Sequence, residues 1–196
     1  MSENATKWSE QGLPDPGVLA GEEVRMWRAY YQKRWLRLGW RLVRLLRRQF
    51  RLSTSHAICA GWAFGSAAMR FARSNPAPRE AVLRDLKRGY RRVARASGMK
   101  FDPEAVANAE WAWWEARRDP KQDTPELVGR KIGDLYANLY GGRNDALSEA
   151  GYLRARAAKL RDDAGARADW ARIEAMLLTS YARLREGVAA IRASTL

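Results

Sequence analysis

The sequence is poor in the side chains on which most catalytic and metal sites depend. It contains one cysteine, Cys59, which excludes a disulfide within the chain and a zinc site with several cysteine ligands. It contains one histidine, His56, which leaves too few imidazole groups for a histidine-rich metal site and argues against a Ser-His-Asp triad. Any catalysis would therefore depend on carboxylates, tyrosines, arginines or a bound cofactor.

His56 would suit a haem only with suitable ligands nearby. Cys59 follows it by about one helical turn, and Met69 lies further along the same predicted helix. A single histidine near the start of a helix is more typical of a structural or capping residue. We therefore predict no cofactor and no metal, and the favoured interpretation is a protein that is not an enzyme.

Long hydrophobic runs and targeting signals are also missing. The longest uncharged run covers residues 52–69 but is interrupted by serine, threonine and histidine, which favours a buried helix over a transmembrane one. The first fifteen residues contain acids and no apolar segment, so a secretory signal is not predicted. We expect a cytoplasmic protein.

Acidic residues are nearly absent from one stretch of the chain. The 196 residues include 36 lysines and arginines and 22 acids, which gives a net charge of +14. Residues 24–100 hold twenty of the basic residues but only Glu80 and Asp85 as acids, whereas residues 101–196 hold equal numbers of each. An excess confined to one contiguous stretch indicates a surface for anionic partners. Coding bias would explain why arginine outnumbers lysine 29 to 7, but not the missing acids.

Helical periodicity runs through the chain, and no segment alternates apolar and polar residues between turn signals. We predict an all-α fold: a compact bundle of about seven helices in a single domain, residues 21–196, with a basic half at 24–100 and a charge-balanced half at 101–196. Residues 1–20 are predicted to form a flexible acidic leader. The predicted helices cover residues 21–50, 53–73, 79–97, 102–118, 124–141, 145–162 and 169–192.

Two of these helices carry rows of arginine. In the first, arginines recur every three or four residues and so share one half of the helix surface. Trp35 falls on the apolar side and is expected in the core, whereas Trp27 and Trp40 flank the arginines as candidate aromatic contacts. The candidate polyanion-binding residues of the first and third helices are Arg34, Arg37, Arg41, Arg44, Arg48, Arg84, Arg88, Arg91 and Arg95.

These rows favour a non-catalytic binding or adaptor protein that engages a polyanion, either nucleic acid or an acidic protein face. Guanidinium groups one turn apart can contact successive phosphates, and each can hold an anion with two N–H donors. A helix-turn-helix over residues 93–111 is not favoured, because its second helix would begin with Asp102 and Glu104, which phosphates repel.

An enzyme or ligand-binding bundle is the first alternative. Glu110, Glu149 and Glu174 occur beside apolar positions in three different helices, and inward carboxylates can bind a hard cation or perform acid–base chemistry. The Glu-x-x-His pattern of di-iron bundles is missing. The tyrosines that would approach the same interior are Tyr136, Tyr140, Tyr152 and Tyr181.

A peripheral membrane protein is the second alternative. It would use the same arginines on an anionic membrane surface, beside Trp27, Trp40 and Phe50. The acidic leader suggests a further hypothesis, because residues 1–23 carry a charge of −4. This segment would fold back on the arginine rows and compete with an anionic partner.

Overall fold

The computed structural model describes residues 12–194, which form eight α-helices and one short 3₁₀ turn. No strand occurs within these residues, so the all-α prediction is confirmed. The helices are α1 (Pro16–Tyr31), α2 (Trp35–Phe50), α3 (Thr54–Arg73), α4 (Arg79–Ser97), α5 (Pro103–Arg118), α6 (Pro125–Tyr140), α7 (Asp145–Ala164) and α8 (Trp170–Ala193). The 3₁₀ turn, Gly165–Arg167, lies between α7 and α8.

Local capping signals place most helix ends close to where the sequence predicts them. At the start of α3 the Ser53 side chain accepts a hydrogen bond from the His56 backbone N–H, and Asp102 caps α5 in the same manner. Each such cap satisfies an otherwise unpaired N–H group and contributes about 1 kcal/mol. Gly98 and Gly141 follow α4 and α6 in the left-handed conformation, at φ of 75° and 85°.

The first predicted helix consists of two helices. The chain turns at residues 32–34, where Lys33 has a positive φ of 55° and the Arg34 N–H donates to the Ala29 carbonyl. α2 therefore packs back against α1 instead of continuing it. The prediction of one helix over residues 21–50 is wrong, and the periodicity concealed the turn because no proline or glycine marks it.

The predicted leader ends before residue 20. α1 begins at Pro16 with the Asp15 side chain as its cap, and Leu13 is already buried in the core. The prediction of a flexible leader is therefore wrong for residues 12–20, and residues 1–11 lie outside the described range.

The acidic charge assigned to the leader lies largely in the folded body. Of the five acids in residues 1–23, Glu22 and Glu23 are buried in α1 and Asp15 caps that helix. The other two, Glu3 and Glu10, lie outside the described residues. The segment that would compete with an anionic partner is thus less acidic than the sequence suggests.

The helices form a closed arrangement in which each packs against the next and α8 returns to pack against α1. All eight contribute apolar side chains to one core. The arginine-bearing helices α2 and α4 both pack against α3. No helix within residues 12–194 combines the length and the apolar character that crossing a bilayer requires.

Glycines allow α6 and α7 to approach at backbone distance. A Cβ atom added at Gly151 would lie 2.5 Å from the Gly129 carbonyl oxygen, and one added at Gly129 would lie 2.6 Å from the Tyr152 Cα. The spacing of Gly61 and Gly65 in α3 also predicts close packing, but a Cβ at Gly65 would meet nothing within 4 Å. That prediction is wrong for Gly65.

Candidate polyanion-binding surface

α4 presents a row of arginines that no described acid neutralises. Two nearby acids are engaged elsewhere, because Asp85 accepts from Arg70 at 2.8 Å and Glu104 pairs with Lys87. Glu80, at the start of α4, forms no ion pair with these arginines. The positive charge of this surface therefore faces solvent. Its five exposed members, which form no ion pair with a residue of 12–194, are Arg84, Arg88, Arg91, Arg92 and Arg95, called here the α4 arginine face.

Part of the α4 arginine face lines a concave pocket of about 420 Å³. The lining residues are His56 of α3 and Arg88, Arg91, Arg92 and Arg95 of α4. The His56 Nδ1 lies 2.8 Å from the Ser53 Oγ, and this hydrogen bond orients the imidazole ring. A concave surface lined by charges of one sign concentrates the electrostatic potential, which is positive here.

The arginines of α2 are arranged differently, because three of them surround a buried glutamate of α1. Glu22 is 2% exposed, and Arg44 donates to its Oε1 from Nε at 3.2 Å and from Nη2 at 2.9 Å. Arg41 lies 3.4 Å from Oε2, Arg48 lies 3.6 Å from Oε1, and Arg25 lies 3.9 Å from Oε1. Four cations share one carboxylate, so most of their charge is not neutralised.

Three other arginines of this region stay open to solvent. Arg34, Arg37 and Arg47 are exposed and have no acid partner among residues 12–194. They are called here the outer arginines of α2. The row that appears continuous in the sequence thus divides into an inner group that holds Glu22 and an outer group available to a partner.

Aromatic side chains accompany the outer arginines, although not the pair that the sequence suggests. Trp40 is 54% exposed, but Trp27 is partly buried and packs against the core. Trp35, expected in the core, is 61% exposed, and Leu36 is 93% exposed. The turn at residues 32–34 moves the apolar row of α2 out of line with that of α1, and so the core placement of Trp35 is wrong.

Many acids of residues 101–196 are committed to bases of the same half. Glu149 pairs with an arginine of α8 at 2.9 Å, and Asp134 pairs with the arginine that follows α6 at 2.6 Å. Asp162 and Asp123 are held by Arg117, and Asp123 also lies 3.6 Å from a lysine of α7. These acids do not neutralise the α4 arginine face.

The three glutamates of the alternative core site do not come together. Glu149 and Glu174 are exposed. Only Glu110 points inward, where it accepts hydrogen bonds from the Tyr90 hydroxyl at 2.9 Å and the Trp114 indole at 3.0 Å. Among the described residues, no group of three or more histidine, cysteine, aspartate and glutamate side chains could hold a metal ion.

A different carboxylate occupies the interior. Glu23 of α1 is fully buried; Arg154 of α7 donates to its Oε1 from Nε at 2.9 Å, and the Tyr181 hydroxyl of α8 donates to its Oε2 at 2.7 Å. The Arg154 guanidinium also lies 5.4 Å from the ring centroid of Trp113. One carboxylate thus ties α1 to α7 and α8, whose contacting residues lie 131 and 158 positions further along the chain.

Burial sets the protonation of these interior groups. It raises the pKa of Tyr90 and Tyr181 above the ordinary 10, and the adjacent carboxylates add to the effect, so both hydroxyls remain donors. Burial also raises the pKa of Glu110, and Arg154 reverses this only in part. Burial lowers the pKa of Arg154, but the charge of Glu23 outweighs it and keeps the guanidinium protonated.

A sequence signal for Glu23 exists. The residue lies four positions after Leu19 and four before Trp27, on the apolar side of α1. A carboxylate at such a position predicts a buried partner, because an unpaired charge is too costly to bury. The sequence does not identify that partner, since Arg154 lies 131 positions away.

Two surfaces of the basic half therefore group exposed arginines that form no ion pair with an acid of residues 12–194. The α4 arginine face adds a concave pocket, and the outer arginines of α2 add exposed tryptophan. Comparison of the chain with models of known families, with curated proteins and with solved structures finds no match.

Proposed function

We propose that the protein is a non-catalytic binding or adaptor protein that engages a polyanion, and that this polyanion is nucleic acid. The α4 arginine face carries the proposal, because its five guanidinium groups lack acid partners among the described residues. Side chains three and four residues apart on a helix are separated by about 5–6 Å, which suits contact with successive phosphates. A cytoplasmic location, where nucleic acid is accessible, belongs to the same proposal.

Exposed aromatic rings favour nucleic acid over an acidic protein face. Trp35 and Trp40 are exposed on α2, near Arg37 of the same helix and Arg34 just before it. Unpaired bases stack on such rings while neighbouring cations contact the phosphates, and each stacked base contributes about 1–3 kcal/mol. Single strands are the favoured form, since the faces of their bases are accessible.

Replacement of three arginines of the α4 arginine face tests the proposal. We expect R84Q/R88Q/R91Q to bind a labelled single-stranded oligonucleotide about tenfold or more weakly, because charge-assisted contacts are lost. Fluorescence anisotropy at fixed salt measures the affinity, and circular dichroism checks the fold.

The control changes the net charge by the same amount at another surface. R156Q/R172Q/R185Q replaces exposed arginines of α7 and α8, and we expect a much smaller loss. Equal losses of affinity in both variants would show that binding depends on net charge alone and not on the α4 arginine face. No loss in R84Q/R88Q/R91Q would remove α4 from the contact surface.

On α2, the outer arginines are the ones to replace. Arg41 and Arg44 hold the buried Glu22, so their removal would confuse lost binding with lost stability. R34Q/R37Q/R47Q avoids this problem and should weaken binding of both an oligonucleotide and heparin. W40A should weaken binding of the oligonucleotide only, because heparin has no bases to stack.

Binding to an anionic membrane surface is a second candidate function. One observation favours it: Leu36 is almost fully exposed beside Trp35 and Trp40, in a helix rich in arginine. Apolar side chains flanked by cations are typical of helices that lie in a bilayer interface. The contact would not include Phe50, which is buried, or Trp27, which is partly buried.

Vesicle sedimentation separates the two candidates. The membrane candidate would be supported if the protein binds phosphatidylserine vesicles, loses this binding in W35S/L36S and binds no oligonucleotide. The same result would contradict nucleic-acid binding. Oligonucleotide binding without retention by the vesicles would support nucleic acid.

A further inference from the structure

The pocket between α3 and α4 differs from the rest of the α4 arginine face because it is concave. Its lining brings together four arginines and one histidine around about 420 Å³. On α4 these arginines follow the spacing i, i+3, i+4 and i+7, so one helix face supplies all four. Arg84 belongs to the same face but does not line the pocket.

Nothing in the described residues neutralises this pocket. The lining includes no aspartate or glutamate, and none of its arginines forms an ion pair within residues 12–194. Asp85, the acid nearest in sequence on α4, is turned to Arg70. The pocket therefore presents several positive charges to whatever enters it.

His56 adds an imidazole ring in a fixed orientation. Its Nδ1 is engaged by the Ser53 Oγ at 2.8 Å, and that hydroxyl also accepts from the His56 backbone N–H. The ring is thus held by the cap of α3 on one side, and Nε2 has no partner among the described residues. Geometry of this kind orients a second ring nitrogen for a ligand.

We propose that this pocket binds a phosphomonoester, namely the terminal phosphate of a nucleic-acid strand. The inference rests on the proposed function and specifies it. A phosphodiester carries one negative charge, whereas a phosphomonoester carries about 1.5 to 2 and offers three acceptor oxygens. Several guanidinium groups around one compact ligand therefore match a phosphomonoester better than a phosphodiester.

The part of the α4 arginine face outside the pocket then has a separate role. A row of arginines along a helix suits the single charges of a phosphate backbone, and a concave cluster suits one multivalent group. With the strand end in the pocket, Arg84 lies on the same helix face, where the adjoining backbone would pass. The pocket thereby sets the position of the strand as well as adding affinity.

The experiment compares two oligonucleotides of identical sequence, one with a 5′-phosphate and one with a 5′-hydroxyl, at constant ionic strength. We expect the phosphorylated strand to bind about tenfold more tightly. We also expect it to shift the imidazole proton resonances of His56, which are identified without labelling because the chain contains one histidine. The preference should disappear in R91Q/R95Q and persist in R156Q/R172Q.

The outcomes separate this inference from the proposed function. Equal affinity for both oligonucleotides, with both bound, overturns the strand-end site and leaves nucleic-acid binding intact. Failure of both oligonucleotides to bind overturns both proposals.

Adenosine monophosphate distinguishes a strand end from a free nucleotide. Affinity equal to that of the phosphorylated oligonucleotide, lost in R91Q/R95Q, would make the free nucleotide the ligand and overturn the strand-end assignment. Much weaker binding, with a small His56 shift, supports it.

Discussion

Arg44 directs both Nε and Nη2 at one oxygen of the buried Glu22, at 3.2 and 2.9 Å. This contact joins α2 to α1 and holds the inner arginines against the folded body. Arg34 and Arg37 remain open to solvent. The first arginine row is therefore partly neutralised from within the bundle, and the α4 arginine face is not.

Removal of the Glu22 charge should affect stability and binding in opposite directions. We expect E22Q to lower the free energy of unfolding by about 1–3 kcal/mol, because charge-assisted hydrogen bonds are lost. The same change should tighten oligonucleotide binding, because Arg41, Arg44 and Arg48 lose their carboxylate. Urea denaturation and anisotropy measure the two effects. E115Q, which changes an exposed carboxylate, is the control; unchanged affinity in folded E22Q would exclude the inner arginines from binding.

Loss of Arg154 should be among the more destabilising substitutions of a polar residue. R154M leaves Glu23 buried without its cation, and breaking a buried pair from one side costs about 3–5 kcal/mol. Urea denaturation measures this cost, and R156M, exposed on the same helix, should cost less than about 0.5 kcal/mol. The double variant E23L/R154M should recover much of the loss. A small effect of R154M would contradict the structural role given to this pair.

Glu110 should make stability depend on pH in a recognisable direction. Its pKa is raised above the ordinary 4.5 by burial, so the folded state binds this proton more tightly than the unfolded state. The resulting stabilisation is present below about pH 4.5 and is lost as the pH rises through the raised pKa.

Thermal or urea unfolding of the wild type and E110Q, measured at pH values from below 4.5 upward, isolates the contribution of Glu110 to the free energy of unfolding. We expect the stability of the wild type relative to E110Q to fall with rising pH, by about 1.4 kcal/mol for each pH unit that separates the two pKa values. A difference that does not change with pH, or that grows, would contradict the raised pKa.

Alanine should have opposite effects at two helical glycines. In G151A the new methyl group would meet the backbone of α6, so we expect a loss of about 1–3 kcal/mol or more. G65A places the methyl where nothing lies within 4 Å, and we expect a gain of about 0.5–1 kcal/mol from reduced chain entropy. Paired denaturation curves check both signs. Similar values for the two variants would contradict the close approach of α6 and α7.

The sequence specifies those parts of the fold that depend on neighbouring residues. Ser53 and Asp102 cap their helices through bonds within the first turn, and Gly98 and Gly141 end theirs through a left-handed conformation. Such signals span a few residues and can be read directly. The turn at Lys33 has no such mark, because a lysine at positive φ is set by the packing of α2 on α1.

The candidate sites likewise divide into features set by neighbouring residues and features set by packing between helices. The α4 arginine face follows from helical spacing on one element, but the engagement of Asp85 by Arg70 depends on how α3 meets α4. The contacts of Glu22 with Arg44 and of Glu23 with Arg154 depend on how α1 meets α2 and α7. Helical spacing alone cannot supply that geometry, and for the same reason it placed Glu149 and Glu174 in an interior that they do not reach.

The salt dependence of oligonucleotide binding tests the central claim most directly. For single strands, the slope of log K against log salt concentration changes by about 0.7 for each phosphate contact. We predict a steep negative slope for the wild type, reduced in magnitude by about 2–3 in R84Q/R88Q/R91Q/R95Q if each arginine contacts one phosphate. The charge-matched variant R130Q/R156Q/R172Q/R185Q should keep the wild-type slope. A slope that is the same in both variants, or absent from the wild type, would contradict the assignment of the α4 arginine face as a phosphate-binding surface.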